Sequence, residues 1–464
     1  MRRMLVANRG EIAVRIIRAC FDEGIESVLI VSAADRDSLA ARLADEVVVI
    51  GPASATESYL SVSRVVQAAL NAGCDALHPG YGFLSERPTL VKACEENGIT
   101  FIGPSAEVMR ESGDKLLARA MAESVGIPTG KGTVGLLDAE DAIRAADELN
   151  CYPLLLKASA GGGGRGMTIV RHPDDLLEGF NRSSTEAERA FGDGTVYLEP
   201  YIEKARHIEV QILADTHGNV RHLGERDCSA QRRYQKIIEE APSVGLPEAL
   251  VARIREAAVK LAISLHYVGA ATCEFLVDVQ RDSFVFLELN ARVQVEHPVT
   301  EAITGVDIIR EQIRIARGEA LSFSQEDVRL TGHAVECRIN AENPDSGFLP
   351  TPGTVTEWTI PQGSGVRVDT YMCNGAVVPP YYDSLIAKII VHAPTREEAV
   401  AKMATVLAKS RVRGISTTIG IQLEIMNDPT FSTTPITTKW LEESFLPGRS
   451  ASNAATMPST TRGN

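Results

Sequence analysis

The sequence predicts a multidomain α/β and α+β protein, and three observations carry that prediction. Strand and helix patterns alternate through roughly the first hundred residues. A loop with five glycines at positions 161–166 joins two strand-like segments. Strand patterns then dominate from His207 to about residue 446. A chain of 464 residues accommodates about two to four domains.

The first elements alternate regularly. Residues 3–7 read as a strand, 11–21 place apolar side chains at helical spacing before Gly24, 27–32 read as a strand, 38–44 as a helix and 46–50 as a strand. That βαβαβ order implies a parallel, doubly wound sheet. It continues through a strand at 76–78, a loop at 79–83, a helix near 89–97 and a strand at 100–102. Gly126-Ile-Pro-Thr-Gly130 interrupts the chain, and a smaller unit with a strand at 153–158 follows, to about 203. Further strands are expected near 207–213, 219–224, 333–339, 366–369 and 385–391, with a surface helix at 396–409. Residues 447–464 are rich in Ser, Thr, Ala and Gly and are expected to be disordered.

The segment 288–296 carries the densest functional pattern. Glu288, Asn290, Arg292, Gln294 and Glu296 alternate with Leu289, Ala291, Val293 and Val295. In an extended strand the polar set shares one face. The preceding residues 271–288 read as a β-hairpin with a five-residue loop at 279–283. Symmetric pairing about Arg281 sets Asp278 against Phe284, Leu276 against Phe286 and Glu274 against Glu288. Two ionised carboxylates about 4 Å apart repel by roughly 4 kcal/mol at an effective dielectric of 20. A divalent cation offsets that repulsion, and Glu274, Glu288 and Asn290 offer the oxygens magnesium prefers. A shifted register, or solvation of both glutamates, is the alternative.

The glycine run Gly161-Gly-Gly-Gly-Arg-Gly166 is followed by a strand-like Met167-Thr-Ile-Val170 and not by a helix, so a dinucleotide-binding reading fails. A loop between two strands suits a flap over nucleotide phosphates with Lys157 beside it, the alternative being a hinge without a ligand. Gly126–Gly132 lacks P-loop spacing. Residues 225–240 are dense in charge without a helical stripe and read as a solvated loop, although Arg232, Arg233 and Lys236 could hold an anion. Arg338, alternating with apolar neighbours, is a further candidate.

Composition narrows the partners. A net charge of −14 argues against a general nucleic-acid binder. None of the eight cysteines forms a C-x-x-C pair, which fits a reducing compartment and excludes a zinc ribbon. The N-terminal apolar run is too short for a signal-peptide core, and no run approaches membrane-spanning length, so a cytoplasmic protein without membrane contact is expected.

Five motifs, in order, then resemble one family. Ala7-Asn-Arg-Gly-Glu-Ile-Ala13, His78-Pro-Gly-Tyr-Gly-Phe-Leu-Ser-Glu86, the glycine flap, Arg226-Asp-Cys-Ser229 and Gln294-Val-Glu-His-Pro-Val-Thr-Glu301 resemble biotin carboxylase, the ATP-grasp component of biotin-dependent acyl-CoA carboxylases. The resemblance implies a Rossmann-like N-terminal domain (1–113), linker helices and an ATP-grasp lid (114–203), an ATP-grasp catalytic half (204–332) and a C-terminal mixed α/β domain (333–446). It implies the reaction of ATP, bicarbonate and biotin to carboxybiotin, ADP and phosphate through carboxyphosphate.

Site residues follow from the same resemblance. Lys115 and Lys157 would contact ATP phosphates, with Gly163 and Gly164 in the lid. Glu199, Ile202, His207, Gln231, Tyr234 and Leu276 would line the nucleotide pocket. Glu274, Glu288 and Asn290 would hold two magnesium or manganese ions. Lys236, Arg292, Gln294 and Val295 would hold bicarbonate, Glu296 would be its general base, and Arg338 would stabilise the biotin enolate oxygen. A separate biotin carboxyl carrier protein, a carboxyltransferase and a homodimer are implied. The chain departs from the family at Tyr234, where a histidine or other polar residue is usual, and at Pro200, Cys273 and Ala291. Another ATP-grasp ligase with an amine acceptor, or a nucleotide-binding paralogue without catalysis, are the competing readings.

Overall fold

The computed structural model describes residues 1–130, 132–133, 135–136, 138–158 and 167–449. Its N-terminal part is a parallel sheet of β1 (Arg3–Val6), β2 (Glu26–Ser32), β3 (Glu46–Gly51), β4 (Ala76–His78) and β5 (Thr100–Phe101), ordered β3-β2-β1-β4-β5. Positions 27–32 of β2 are all buried, as in a parallel strand covered on both faces. Helix α1 (Gly10–Asp22) buries Ile12, Ala13, Ile16, Ile17 and Cys20, which recur at helical spacing. Strand order reverses between β1 and β4, so the loops leaving their C-terminal ends flank a crevice. Arg9, in the first of these loops, bonds both Asp35 oxygens at 2.9 Å. Its guanidinium also lies 4.3 Å from the Tyr382 ring centroid, which ties this sheet to the C-terminal part.

A smaller antiparallel sheet follows, with β6 (Leu154–Ala158) between β7 (Met167–Val170) and β8 (Val196–Pro200). Helices Ala139–Leu149 and Leu176–Phe191 pack on it through Ala142, Ala145, Leu154, Leu156 and Phe180. Lys157 pairs with Met167, so the glycine loop connects two antiparallel neighbours, while residues 159–166, with Gly163 and Gly164, lie outside the described residues.

The third sheet carries the site. It contains β9 (Ala205–Ala214), β10 (Val220–Arg232), β11 (Gln235–Ala241), β12 (Gly269–Asp278), β13 (Ser283–Asn290), β14 (His333–Asn340) and the strands Val366–Thr370 and Leu385–Ala393. The order is β13-β12-β9-β10-β11-β14, then Leu385–Ala393 and Val366–Thr370, with antiparallel pairing throughout. β9 is buried at every position. Ile208, Val210 and Ile212 join the apolar core with helix Glu248–Ser264, which leaves His207, Glu209 and Gln211 on the other face. β14 pairs with β11, so one sheet runs across the boundary expected between residues 332 and 333.

Four expectations need correction. Residues 225–240 are not a solvated loop but two strands joined by a turn at Arg233 and Tyr234, and Glu225, Arg226, Asp227, Glu239 and Glu240 are buried. Their charges are matched by side chains from other strands and from helices, which a linear pattern does not show. In the hairpin, Glu274 does face Glu288, but a bulge then pairs Phe275 with Phe286, Leu276 with Val285 and Asp278 with Ser283. Residues 288–296 are not extended throughout: β13 stops at Asn290, and Glu296 begins helix His297–Thr304. The expected disordered tail starts as helix, for residues 447–449 are helical and Arg449 bonds Glu424 at 2.6 Å and Asp345 at 2.8 Å. Residues 450–464 lie outside the described residues.

Candidate functional site

The exposed-looking charges of the sequence converge on one buried centre. Glu209 of β9 lies opposite Arg226 of β10 and Glu274 of β12, so all three share a face. Arg226 is fully buried and spends its donors on Glu209 (2.5 Å), Gln211 (2.8 Å), Thr300 (3.0 Å) and Thr272 (3.1 Å). The turn at Arg233 and Tyr234, both with positive φ, reverses the chain and returns Lys236 toward the centre. Lys236 Nζ donates to Glu209 (2.5 Å), Glu296 (2.6 Å) and Glu274 (2.9 Å), one proton for each carboxylate.

Glu296 is held from two sides. Its second oxygen accepts from Arg338 Nη2 at 2.8 Å, and Arg338 Nε donates to Glu239 at 2.5 Å. Burial alone would raise the Glu296 pKa, but Lys236, Arg338 and Arg226 outweigh it and hold the carboxyl well below its usual range. Glu274 is likewise lowered against burial, by Lys236 and by His207, whose Nε2 lies 2.9 Å away. Lys236 is pushed up against burial by Glu209, Glu274 and Glu296. Glu239 is pushed up to about 7 by burial, with Glu296 adding to the shift and Arg338 opposing it.

Beyond Asn290 the chain leaves the sheet and fans out its polar groups. Asn290 Nδ2 donates to Glu274 at 3.0 Å, and Arg292 donates to Asn290 and Gln294 at 3.1 Å each. The Arg292 guanidinium also lies 2.8 Å from Glu86, brought by the loop after β4. Among the described residues, Gln294 Nε2 is buried without a partner and forms an open donor beside Arg292.

The structure distributes the expected residues unevenly. Lys236, Glu274, Asn290, Arg292, Gln294, Glu296, Arg338 and His207 form one connected network. Glu288 faces Glu274 across the hairpin and is raised, first by burial and then by Glu274, with Lys115 opposing from the start of helix Lys115–Ser124. Leu276 faces His207, and Gln231 is buried on β10. Lys157 and Glu199 form an ion pair on the smaller sheet, and Ile202 follows that sheet half-buried. Tyr234 is 60% exposed on its turn, away from the carboxylate cluster. Val295 offers its carbonyl to Lys388.

Sequence reasoning missed Glu209, Arg226, Glu239 and Glu86 as parts of this network. The alternation His207-Ile-Glu209-Val-Gln211 was a usable signal, since it repeats the polar-apolar pattern of 288–296. Ligand atoms of His207, Glu209 and Glu274 lie within 4.8 Å of one another, so the acidic centre extends beyond the expected set of Glu274, Glu288 and Asn290. That set offers oxygen donors, with the Glu288 carboxyl raised by burial and then by Glu274, and it fits a hard divalent cation.

Comparisons with known proteins agree along the chain. Residues 1–109 match the biotin carboxylase N-terminal domain, 114–324 the ATP-binding domain of carbamoyl-phosphate synthase L chain, and 336–443 the biotin carboxylase C-terminal domain. Biotin carboxylase 1 of Bacillus subtilis is 47% identical over 443 residues, covering 95% of this chain and 98% of that protein. The 2-oxoglutarate carboxylase small subunit of Hydrogenobacter thermophilus is 48% identical over 443 residues, 95% of this chain and 93% of its own length. The biotin carboxylase domain dimer of that 2-oxoglutarate carboxylase, solved with MgADP, ADP and bicarbonate, superposes with a TM-score of 0.89 at 48% identity, covering 95% of this chain and 97% of that one. Biotin carboxylase from Campylobacter jejuni superposes with a TM-score of 0.90 at 45% identity over 95% of this chain and 98% of that one.

The Glu274–Glu288 pair makes cation binding testable. A cation ligated by Glu288 displaces the proton that burial and Glu274 favour. Mn2+ affinity is therefore expected to strengthen as pH rises through the Glu288 value, which lies above the ordinary 4.5. Glu288→Gln weakens binding and flattens the dependence. Calorimetric titration at several pH values checks this, and pH-independent binding by the unmutated protein contradicts it.

Proposed function

This chain belongs to the biotin carboxylase family, and from that premise we propose how its residues divide the work. It is an ATP-dependent ligase, the part of a carboxylase that joins bicarbonate to biotin and releases ADP and phosphate. The observation that carries the assignment of roles is Glu296, ionised and clamped between Lys236 and Arg338 at a buried position.

Glu296 takes the bicarbonate proton. A general base needs its unprotonated form at working pH, and the two cations beside it secure that form. Lys236, Arg292, the open Gln294 amide and the Val295 backbone N–H hold the anion. Three of these are cationic or unsatisfied donors within one loop and its neighbour, which supports a small anion here. The freed bicarbonate oxygen attacks the γ-phosphorus, the bond to ADP breaks, and carboxyphosphate forms. Lys115 and Lys157 hold the phosphates. Glu199, Ile202, His207, Gln231, Tyr234 and Leu276 surround the nucleotide.

When bound, magnesium or manganese held by Glu274, Glu288 and Asn290 supplies positive charge at the phosphoryl oxygens. Carboxyphosphate then breaks into carbon dioxide and phosphate, phosphate takes the biotin N–H proton, Arg338 steadies the enolate oxygen of biotin, and the biotin nitrogen attacks carbon dioxide to give carboxybiotin. Arg338 suits that task because Glu239 and Glu296 fix its guanidinium. Buried position and lid closure keep water from the reactive intermediate.

A biotin carboxyl carrier protein would present the biotin and a carboxyltransferase would consume the product. The solved relative is a dimer, which supports a homodimer. Among the described residues no helix is long and apolar enough to cross a membrane. The eight cysteines are free thiols, which supports a reducing compartment, and we place the protein in the cytoplasm.

Purified protein with Mg2+, ATP and bicarbonate is expected to release ADP at a rate that rises with added biotin, read by a coupled assay. ADP release indifferent to biotin, or turnover with an amine in its place, contradicts the reading. Glu296→Gln should lower kcat by about 10²- to 10⁴-fold, the usual worth of a positioned base, with ATP affinity changed by less than about threefold. Equal losses in turnover and ATP binding overturn the base assignment.

A further inference from the structure

We propose that Lys388 is a positioning residue for the reaction: its buried ammonium fixes the peptide that carries the base Glu296. Lys388 lies on the strand Leu385–Ala393, opposite Arg338 of β14, so both side chains rise from the same face of the sheet. It is fully buried. A lysine so placed needs a compensating partner and a use, because burying an ammonium costs several kcal/mol.

The partner is Glu11, on helix α1 of the N-terminal part, 3.2 Å from Lys388 Nζ and itself bonded by the Tyr81 hydroxyl. The use is a backbone atom. Lys388 Nζ donates to the Val295 carbonyl at 2.7 Å. That carbonyl shares one rigid peptide plane with the N–H of Glu296. Residues 291–296 lie between β13 and the next helix and are not assigned to a strand. No ladder fixes their backbone, and a lysine from the far strand supplies the missing anchor. The sheet thus holds the backbone of the base through the Lys388 bond, while Lys236 and Arg338 hold its carboxylate.

The inference rests on the assignment of Glu296 as base, and its effect is positional. Misplacing a reacting group by about 1 Å costs roughly 10²-fold in rate, although the misplaced group is chemically intact. Loss of the anchor should therefore reduce turnover and bicarbonate use without touching the nucleotide, whose contacts lie on other elements.

The decisive pair is Lys388→Met combined with Glu11→Gln, and Glu11→Gln alone. The double variant removes the anchor together with its nearest carboxylate, and the single variant keeps the Lys388 bond to Val295 while Asp369, opposite Lys388 on the neighbouring strand, stays beside the ammonium. Biotin-dependent ADP release by the unmutated protein is the control, and its absence means that the reading of function has failed, not the anchor. With that control active, the double variant is expected to lose about 10- to 100-fold in kcat/KM for bicarbonate. Its ATP affinity stays within about threefold, and Glu11→Gln alone stays within about threefold of the unmutated rate. Double-variant activity within twofold of the control overturns the proposal, as does an equal loss in ATP affinity. Glu11→Gln decides the matter if the double variant does not fold: a folded single variant that loses tenfold or more shows that the charge pair, and not the bond to Val295, is what matters.

Discussion

One ammonium shared by three carboxylates holds this site together. Glu209, Glu274 and Glu296 come from β9, from β12 and from the start of a helix, and each would repel the others in a medium that screens poorly. Lys236 gives each of them one proton donor. The carboxylates are buried, so removing their common partner leaves uncompensated charge, which costs about 3–5 kcal/mol for a buried pair. Arg226 and Arg338 close the network on either side, and together the three cations let acidic side chains occupy positions that apolar residues would otherwise fill.

The same arrangement separates two carboxylates into different tasks. Glu274 and Glu296 both touch Lys236, yet Glu274 also meets His207 and Asn290, and Glu296 also meets Arg338. One therefore looks toward Glu288 and Asn290, the other toward Arg338 and Glu239. Lys236 stands between them and bonds both. Three parts of the chain meet at this point: the loop after β4 through Glu86, the central strands, and β14 through Arg338. A sheet that continues from β11 into β14 makes that meeting rigid.

Much of the fold was legible because each pattern was local. The parallel N-terminal strands are continuous apolar runs, and the helix at 10–22 declares itself by its spacing. The pairing of Glu274 with Glu288 followed from hairpin symmetry, but the bulge beside it did not, since nothing in the sequence marks the extra residue. Residues 225–240 were misread for a different reason. Arg226 looks like a surface charge until its partners are known, and those lie at 209, 211, 272 and 300. Glu209 is marked only by the polar-apolar alternation of residues 207–211, and Glu239 has no signature of its own in the sequence. The chemical roles came from the ordered motifs of the family, and Tyr234, a departure from the usual residue, sits on an exposed turn.

Lys236 keeps Glu296 ionised, and the pH profile of Lys236→Gln tests this. In the unmutated protein Glu296 is depressed against burial chiefly by Lys236, so the base form persists to low pH. Without the ammonium, only Arg338 and Arg226 oppose burial, and the proton is held to higher pH. The acidic limb of kcat/KM for bicarbonate should therefore move to higher pH in the variant, on top of a lower plateau. A lower plateau with an unmoved acidic limb would contradict the account, for it would mean that Lys236 binds the anion but does not set the charge of the base.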